Sequence, residues 1–194
     1  MPSDSIIFAG VDISSGRRPL TFAALDEGLN IKLLEKWDWS EALACLSGYE
    51  NAGFAINIPS GLRRQELVAD FKDELLQAGF QPFSPSRSAK QWLEIDAQDC
   101  FHALSGHKLF PRRTLQGRLQ RTAILYEQGL QVIDPVDLFE EITRFKLIQG
   151  ILPLENLPSP KELDALVGAY LAWMSANRPG QVVLRGDFVL PAPE

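Results

Sequence analysis

The sequence predicts an α/β fold with a mixed sheet, in a single domain that spans residues 1–194. Three apolar runs at the start, residues 6–13, 20–25 and 31–37, are joined by short polar turns, as antiparallel strands commonly are. Further along, short apolar runs alternate with segments of helical periodicity. The composition, 45% hydrophobic and 23% charged over 194 residues, is that of a globular chain able to bury a core.

The first meander is followed by a helix, a strand and a second helix. Ser40 is a candidate N-cap for a short helix that extends through Ser47, and residues 53–58 form an apolar strand ended by Pro59. Helical spacing then continues from Leu62 to a stop at Gly79.

The middle of the chain is predicted to hold two helices and one strand. The segment 88–104 reads as a helix with weak periodicity, and 113–128 reads as a clearer helix that ends at Gly129. Residues 130–133 read as a buried strand, which Pro135 closes.

The last third of the chain begins with three prolines in the connection 152–160. Ser159-Pro160-Lys161-Glu162 then fits a capping box with proline at the first helical position, so a helix is predicted from there to about Asn177. A hairpin over 181–190, turning at Gly186-Asp187, completes the pattern.

Polar side chains end three of the predicted strands. They are Asp12, Asn57 and Asp134, and the carboxyl ends of strands in open α/β sheets border the ligand crevice. A fourth, Asp164, lies on the apolar stripe of the last predicted helix, where a buried carboxylate needs a partner or a metal. Local alternatives exist for each, since Asp12 and Asn57 suit turns, Asp134 suits a helix cap and Asp164 suits a helix dipole.

Four short blocks resemble, in order, those of the domain of unknown function 429 family. They are Gly10-Val11-Asp12, Ala55-Ile56-Asn57-Ile58-Pro59-Ser60-Gly61, Val132-Ile133-Asp134-Pro135 and Glu162-Leu163-Asp164-Ala165-Leu166-Val167. Members of that family are regarded as predicted nucleases with a ribonuclease H-like fold, related to Holliday-junction resolvases. The resemblance implies three antiparallel strands followed by two parallel strands, helices on both faces and a carboxylate cluster at the carboxyl edge.

The resemblance also implies a site for Mg²⁺ or Mn²⁺. Carried over by position, Asp12 and Asp164 are the acids that hold the metal. Together with Asp134, they are the expected catalytic metal ligands, and Asn57 is a weaker one. Paired ions of this kind activate water for phosphodiester hydrolysis. The chain departs from the pattern at Asn57, where the family tends to have aspartate, and at Lys161, where resolvase-like members have another acid. A non-catalytic binding protein with a decayed site is therefore an alternative.

A basic segment offers a candidate contact for nucleic acid. It comprises Lys108, Arg112, Arg113, Arg118 and Arg121, and three of these fall opposite the apolar residues of the helix predicted over 113–128. An ordinary solvated helix face explains the same pattern. The net charge of −6 argues against generic coating of nucleic acid.

A third function is nucleotide binding, because the segment 10–16 also resembles the first phosphate loop of the actin-like ATPases.

Cys45 and Cys100 have neither disulfide nor zinc spacing. With no secretory signal and no apolar run of about 20 residues, the chain is predicted to be cytoplasmic, without membrane contact.

Overall fold

A computed structural model describes residues 6–13, 19–58, 65–84, 89–151, 154 and 157–192. Its strands are β1 (Ile7–Asp12), β2 (Leu20–Leu25), β3 (Ile31–Trp37), β4 (Ala52–Asn57), β5 (Gln81–Pro82), β6 (Lys90–Ile95), β7 (Val182–Arg185) and β8 (Phe188–Pro191). Its helices are α1 (Trp39–Ser47), α2 (Gln65–Gln77), α3 (Ala97–Ser105), α4 (Leu115–Glu127), α5 (Pro135–Ile148) and α6 (Pro160–Asn177).

The strands described form one mixed sheet in the order β3-β2-β1-β4-β6-β8-β7, and β5 pairs with β6 outside that path. β2 runs antiparallel to both β1 and β3, which confirms the predicted meander. β4 is parallel to β1, and β6 is parallel to β4. β1, β4 and β6 therefore end at the same edge of the sheet, and this common edge positions the site described below.

Alternating side chains along the central strands divide the core into two faces. Phe8 belongs to one buried cluster together with residues of α6 and Phe101 of α3. Ala9 and Val11 belong to the other face, together with Trp39 of α1 and Phe71 of α2. The predicted arrangement of helices on both faces of a mixed sheet is thus confirmed.

Helix α6 lies directly on β1 because Gly10 has no side chain. A Cβ at this position would come within 2.2 Å of the backbone oxygen of Ala165 and 2.4 Å of the nitrogen of Ala169. The helix is buried all round from Leu163 to Met174, as is typical of a helix inside a core. The close approach brings the start of α6, and Asp164 with it, beside the end of β1.

The start of α6 agrees with its prediction. Ser159 Oγ accepts a hydrogen bond from the Glu162 N–H at 3.3 Å, and the Glu162 carboxylate accepts one from the Ser159 N–H at 2.6 Å. The terminal hairpin is also confirmed, as β7 and β8. At α1 the predicted cap is wrong, because Asp38 rather than Ser40 precedes the helix, with the Glu41 carboxylate accepting from the Asp38 N–H at 2.9 Å.

Two predictions for the middle of the chain are wrong. The described part of 88–104 is a strand and a helix, β6 and α3, because Lys90–Ile95 pairs with β4 and Asp96 then caps the helix. Residues 130–133 belong to no strand: they connect α4 to α5, and the Gln131 N–H donates to the Leu29 carbonyl. The predictions at 14–18, 59–64 and 152–153 lie outside the described residues.

None of the described helices is long and apolar enough to cross a membrane.

Candidate carboxylate site

Three polar residues meet at the carboxyl edge of β1, β4 and β6. Asp12 pairs in register with Asn57 across β1 and β4, and Asn57 pairs with Ile95, the residue before Asp96. Asp12 and Asn57 are 1% exposed and Asp96 is 4% exposed. Their side chains therefore lie in a low-dielectric setting, where charges interact strongly.

Asn57 links the end of β1 to the start of α3. Its Nδ2 donates to Asp12 Oδ1 at 2.9 Å, and its Oδ1 accepts from the Ala97 N–H, also at 2.9 Å. Both ends of the amide are thus used, and the donor end is one that aspartate lacks. Asparagine at this position therefore has a structural role, the orientation of Asp12.

Asp96 belongs to the site, and the sequence reasoning missed it. Its Oδ1 accepts from the N–H groups of Gln98 at 2.9 Å and Asp99 at 3.3 Å, as an N-cap. The signal was present: Asp96 follows an apolar run and precedes Asp99 by three residues, a pattern typical of a helix start. The prediction of one continuous helix over 88–104 concealed it.

Asp164 comes to the same place from α6 and is 4% exposed. Its Oδ2 forms an ion pair with Arg112 Nη2 at 2.5 Å. Burial raises the pKa of the Asp164 carboxyl to about 7, against the opposing effect of Arg112, and the nearby charges of Asp12 and Asp96 add to the rise. The charges of Asp12 and Asp96 therefore reach the Asp164 carboxyl, which places the three residues in one electrostatic environment.

A second guanidinium, that of Arg121, is 1% exposed beside this cluster. It donates to the carbonyls of Phe110 at 3.1 Å and Gly117 at 2.9 Å and to Gln98 Oε1 at 2.7 Å. Burial lowers the pKa of the Arg121 guanidinium, and the nearby charge of Asp164 opposes this effect only in part. Within the described part of the chain, the Nε atoms of Arg112 and Arg121 are buried without a hydrogen-bond partner.

A cavity of about 30 Å³ remains between these groups. It is lined by Asn57, Asp96, Ala97, Gln98, Arg112 and Asp164. That volume is about the share of one water molecule in the liquid, so the cavity in this conformation suits a water or a bare ion and not a nucleotide.

Asp134 does not join the site, which corrects its predicted role as a metal ligand. Its carboxylate accepts from the Val136 N–H at 2.8 Å and from the Tyr126 hydroxyl at 3.0 Å, and it forms the N-cap of α5. Neither partner belongs to the carboxylate cluster. The edge position expected for Asp134 is held by Asp96, because the strand expected at 130–133 is instead β6.

The predicted positive face of α4 is also wrong. Arg121 points inward, and Tyr126, expected on the buried side, is 40% exposed. Arg118 donates to the carbonyls of Pro158, Leu154 and Leu157 in the connection before α6. Helical spacing alone did not reveal this, because an arginine can bury its apolar stem and satisfy its guanidinium with carbonyls.

The two other basic candidates, Lys108 and Arg113, are exposed. With Arg112 paired to Asp164 and Arg118 and Arg121 bound to carbonyls, no single surface presents all five basic side chains. Of the five basic side chains, Lys108 and Arg113 are thus the two that the structure leaves exposed.

The donor chemistry of the cluster fits a divalent cation such as Mg²⁺ or Mn²⁺, which prefer carboxylate and carbonyl oxygens. Arg112 nevertheless holds one oxygen of Asp164, and the Asn57 carbonyl accepts from Ala97. Across the residues that the structure describes, no three acidic, histidine or cysteine side chains are arranged to hold a metal ion together. A cation that uses Asp164 therefore competes with Arg112 for this carboxylate.

Cys45 and Cys100 are both free, as predicted, and burial raises the pKa of the Cys100 thiol well above its usual value. Of the segment 10–16 that resembles a phosphate loop, residues 14–16 lie outside the described part of the chain. Comparison of the chain with family models, curated proteins and solved structures found no match in any of the three.

Proposed function

We propose that the chain is a ribonuclease H-like domain that binds a divalent cation and hydrolyses phosphodiester bonds. The order β3-β2-β1-β4-β6 supports this proposal, since it contains three antiparallel strands followed by two parallel ones, as the family resemblance implies. The position of α6 supports it as well, because the acid near the start of that helix lies against the acid at the end of β1.

The observation that carries the proposal is the presence of Asp12, Asp96 and Asp164 together at one buried edge, where the charges of Asp12 and Asp96 help to raise the pKa of Asp164. Buried carboxylates held close together repel when ionised, and a divalent cation relieves that repulsion. Asp96 takes the place predicted for Asp134. The proposed ligand set is therefore Asp12, Asp96 and Asp164.

When bound, the cation supplies Lewis acidity and lowers the pKa of a coordinated water. Asn57 orients the Asp12 carboxylate through its Nδ2 donor. Arg112 pairs with Asp164 in this structure, and its planar guanidinium would also suit the oxygens of a phosphate held at the site.

A cation titration of the purified chain tests the proposal. We expect Mn²⁺ or Mg²⁺ to raise the melting temperature of the wild type, and Asp12→Asn or Asp164→Asn to abolish that rise. Asp187→Asn is the matched control, since Asp187 is exposed in the turn between β7 and β8. Absence of cation stabilisation together with absence of cleavage of branched, duplex and hybrid substrates contradicts the proposal.

A second function is favoured by the ion pair between Arg112 and Asp164. On this alternative the guanidinium is the permanent counter-charge of the cluster, and the domain binds a partner without catalysis. Arg112→Met separates the two functions. If the wild type responds to the cation, the hydrolase is supported; if only Arg112→Met responds, the guanidinium has replaced the cation and the non-catalytic function is supported.

A further inference from the structure

The outer face of α5 and the turn after it is strongly apolar. Val136, Phe139, Leu147, Ile148 and Ile151 are between 62% and 79% exposed. Val136, Phe139 and Leu147 follow helical spacing, so they form one stripe along the helix. Several large apolar side chains exposed along one side of a helix favour an interaction site.

The stripe is distinct from the face with which α5 packs on its own chain. Leu138 and Ile142 are buried against Leu157, in a small cluster that Leu115 and Leu119 of α4 complete. Core packing therefore accounts for one side of α5 and leaves the stripe unexplained.

Charge is divided along the exposed side of the helix. Asp137 and Glu140 are exposed in the N-terminal half, and Arg144 and Lys146 are exposed in the C-terminal half. The ion pairs within the described residues include none of these four. A helix with an acidic half and a basic half complements a second copy of itself when the two run antiparallel, because each acidic half then faces a basic half.

We propose that this surface is the interface of a two-fold symmetric homodimer in which α5 packs antiparallel to α5 of a second copy. Glu140 and Arg144 are four residues apart and so lie on the same side of the stripe. A two-fold axis midway between them places Glu140 against Arg144 of the second copy, and the symmetry repeats the contact. The same axis places Val136 opposite Ile148.

The expected affinity is modest. The 14 residues of α5 span about 21 Å at 1.5 Å per residue. One pair of helices of that length buries less than the roughly 800 Å² per partner of a standard interface. The dimer should therefore depend on protein concentration, with a dissociation constant on the order of micromolar.

Sedimentation velocity over a range from about 1 to 200 µM measures this assembly. We expect the wild type to shift from monomer to dimer and Leu147→Ser to remain monomeric with unchanged helical content. Leu184→Ser is the control, because it removes an apolar side chain of β7 that is 55% exposed and lies outside the stripe; this variant should dimerise like the wild type. A wild type that stays monomeric throughout, or a Leu147→Ser variant that dimerises normally, overturns the proposal.

Charge reversal tests the antiparallel arrangement itself. Glu140→Lys and Arg144→Glu should each weaken the dimer by about tenfold, because each juxtaposes like charges twice across the axis. The double variant should regain most of the affinity, since the two reversals restore opposite charges. Failure of the double variant to recover overturns the antiparallel arrangement.

Discussion

Replacement of Asp164 by asparagine should change how stability depends on pH. Unfolded Asp164 releases its proton near its ordinary pKa of 3.8, whereas the folded protein holds that proton to about pH 7. Between these values the native state binds more protons than the unfolded state, so this group lowers the free energy of unfolding as the pH rises. Asparagine has the shape of the protonated acid and never ionises, so Asp164→Asn removes this loss.

The magnitude follows from the size of the pKa rise. Each pKa unit corresponds to about 1.4 kcal/mol, so a rise from 3.8 to about 7 amounts to about 4 kcal/mol when the pH exceeds both values. About 3 kcal/mol of this develops between about pH 5 and pH 8. Over that interval the variant should gain about 3 kcal/mol relative to the wild type.

Denaturant unfolding of both proteins at several pH values measures the difference. Asp187→Asn removes an exposed acid of the same size and should follow the wild-type profile. A difference between Asp164→Asn and the wild type that stays constant from about pH 5 to pH 8 refutes the reasoning, because the carboxyl would then titrate alike in the folded and unfolded states.

Three further substitutions test the framework of the site by denaturant unfolding. Gly10→Ala should lower the free energy of unfolding by at least about 2 kcal/mol, because the new Cβ would lie 2.2 Å from a backbone oxygen of α6. Gly180→Ala is the control: a Cβ there would have no atom within 4 Å, so the free energy of unfolding should change by less than about 0.5 kcal/mol. Asn57→Asp should lower the free energy of unfolding by about 2 kcal/mol at neutral pH, because it replaces the donor to Asp12 with a repelling charge. On the proposed function, Mn²⁺ should restore most of that stability. A variant as stable as the wild type contradicts this role of Asn57. Arg121→Lys should lower the free energy of unfolding by about 3 kcal/mol, because a lysine cannot reproduce the three hydrogen bonds of the buried guanidinium. A change below about 1 kcal/mol would show that those bonds contribute little to stability.

Local signals predicted the meander and α6 correctly. The turn at Asp26 is set by neighbouring residues, with Asp26 Oδ1 accepting from the Asn30 N–H at 2.9 Å. Likewise, the capping box of α6 lies within four consecutive residues, 159–162. Elements specified by contacts close in sequence are readable from a single chain, because composition and spacing contain the whole signal.

Local signals did not predict which aspartate joins the carboxylate site: Asp134 was expected there, and the structure places Asp96 there. Both residues follow an apolar run, and both cap a helix through a backbone N–H two residues later. Nothing local distinguishes them. The difference is that Lys90–Ile95 pairs with β4, some 40 positions earlier in the chain, while residues 130–133 form no ladder. Register with a distant parallel strand is a tertiary property that periodicity does not contain.

The charge balance of the carboxylate site links its two proposed functions to pH. Three carboxylates and two guanidiniums leave one net negative charge when all are ionised, and protonation of Asp164, whose pKa is about 7, removes that charge. A divalent cation that uses Asp164 competes with its proton and with Arg112. Cation affinity should therefore rise about tenfold per pH unit as the pH approaches 7 and level off above it. In the non-catalytic alternative Arg112 remains in place, so the wild type has no such cation dependence at any pH.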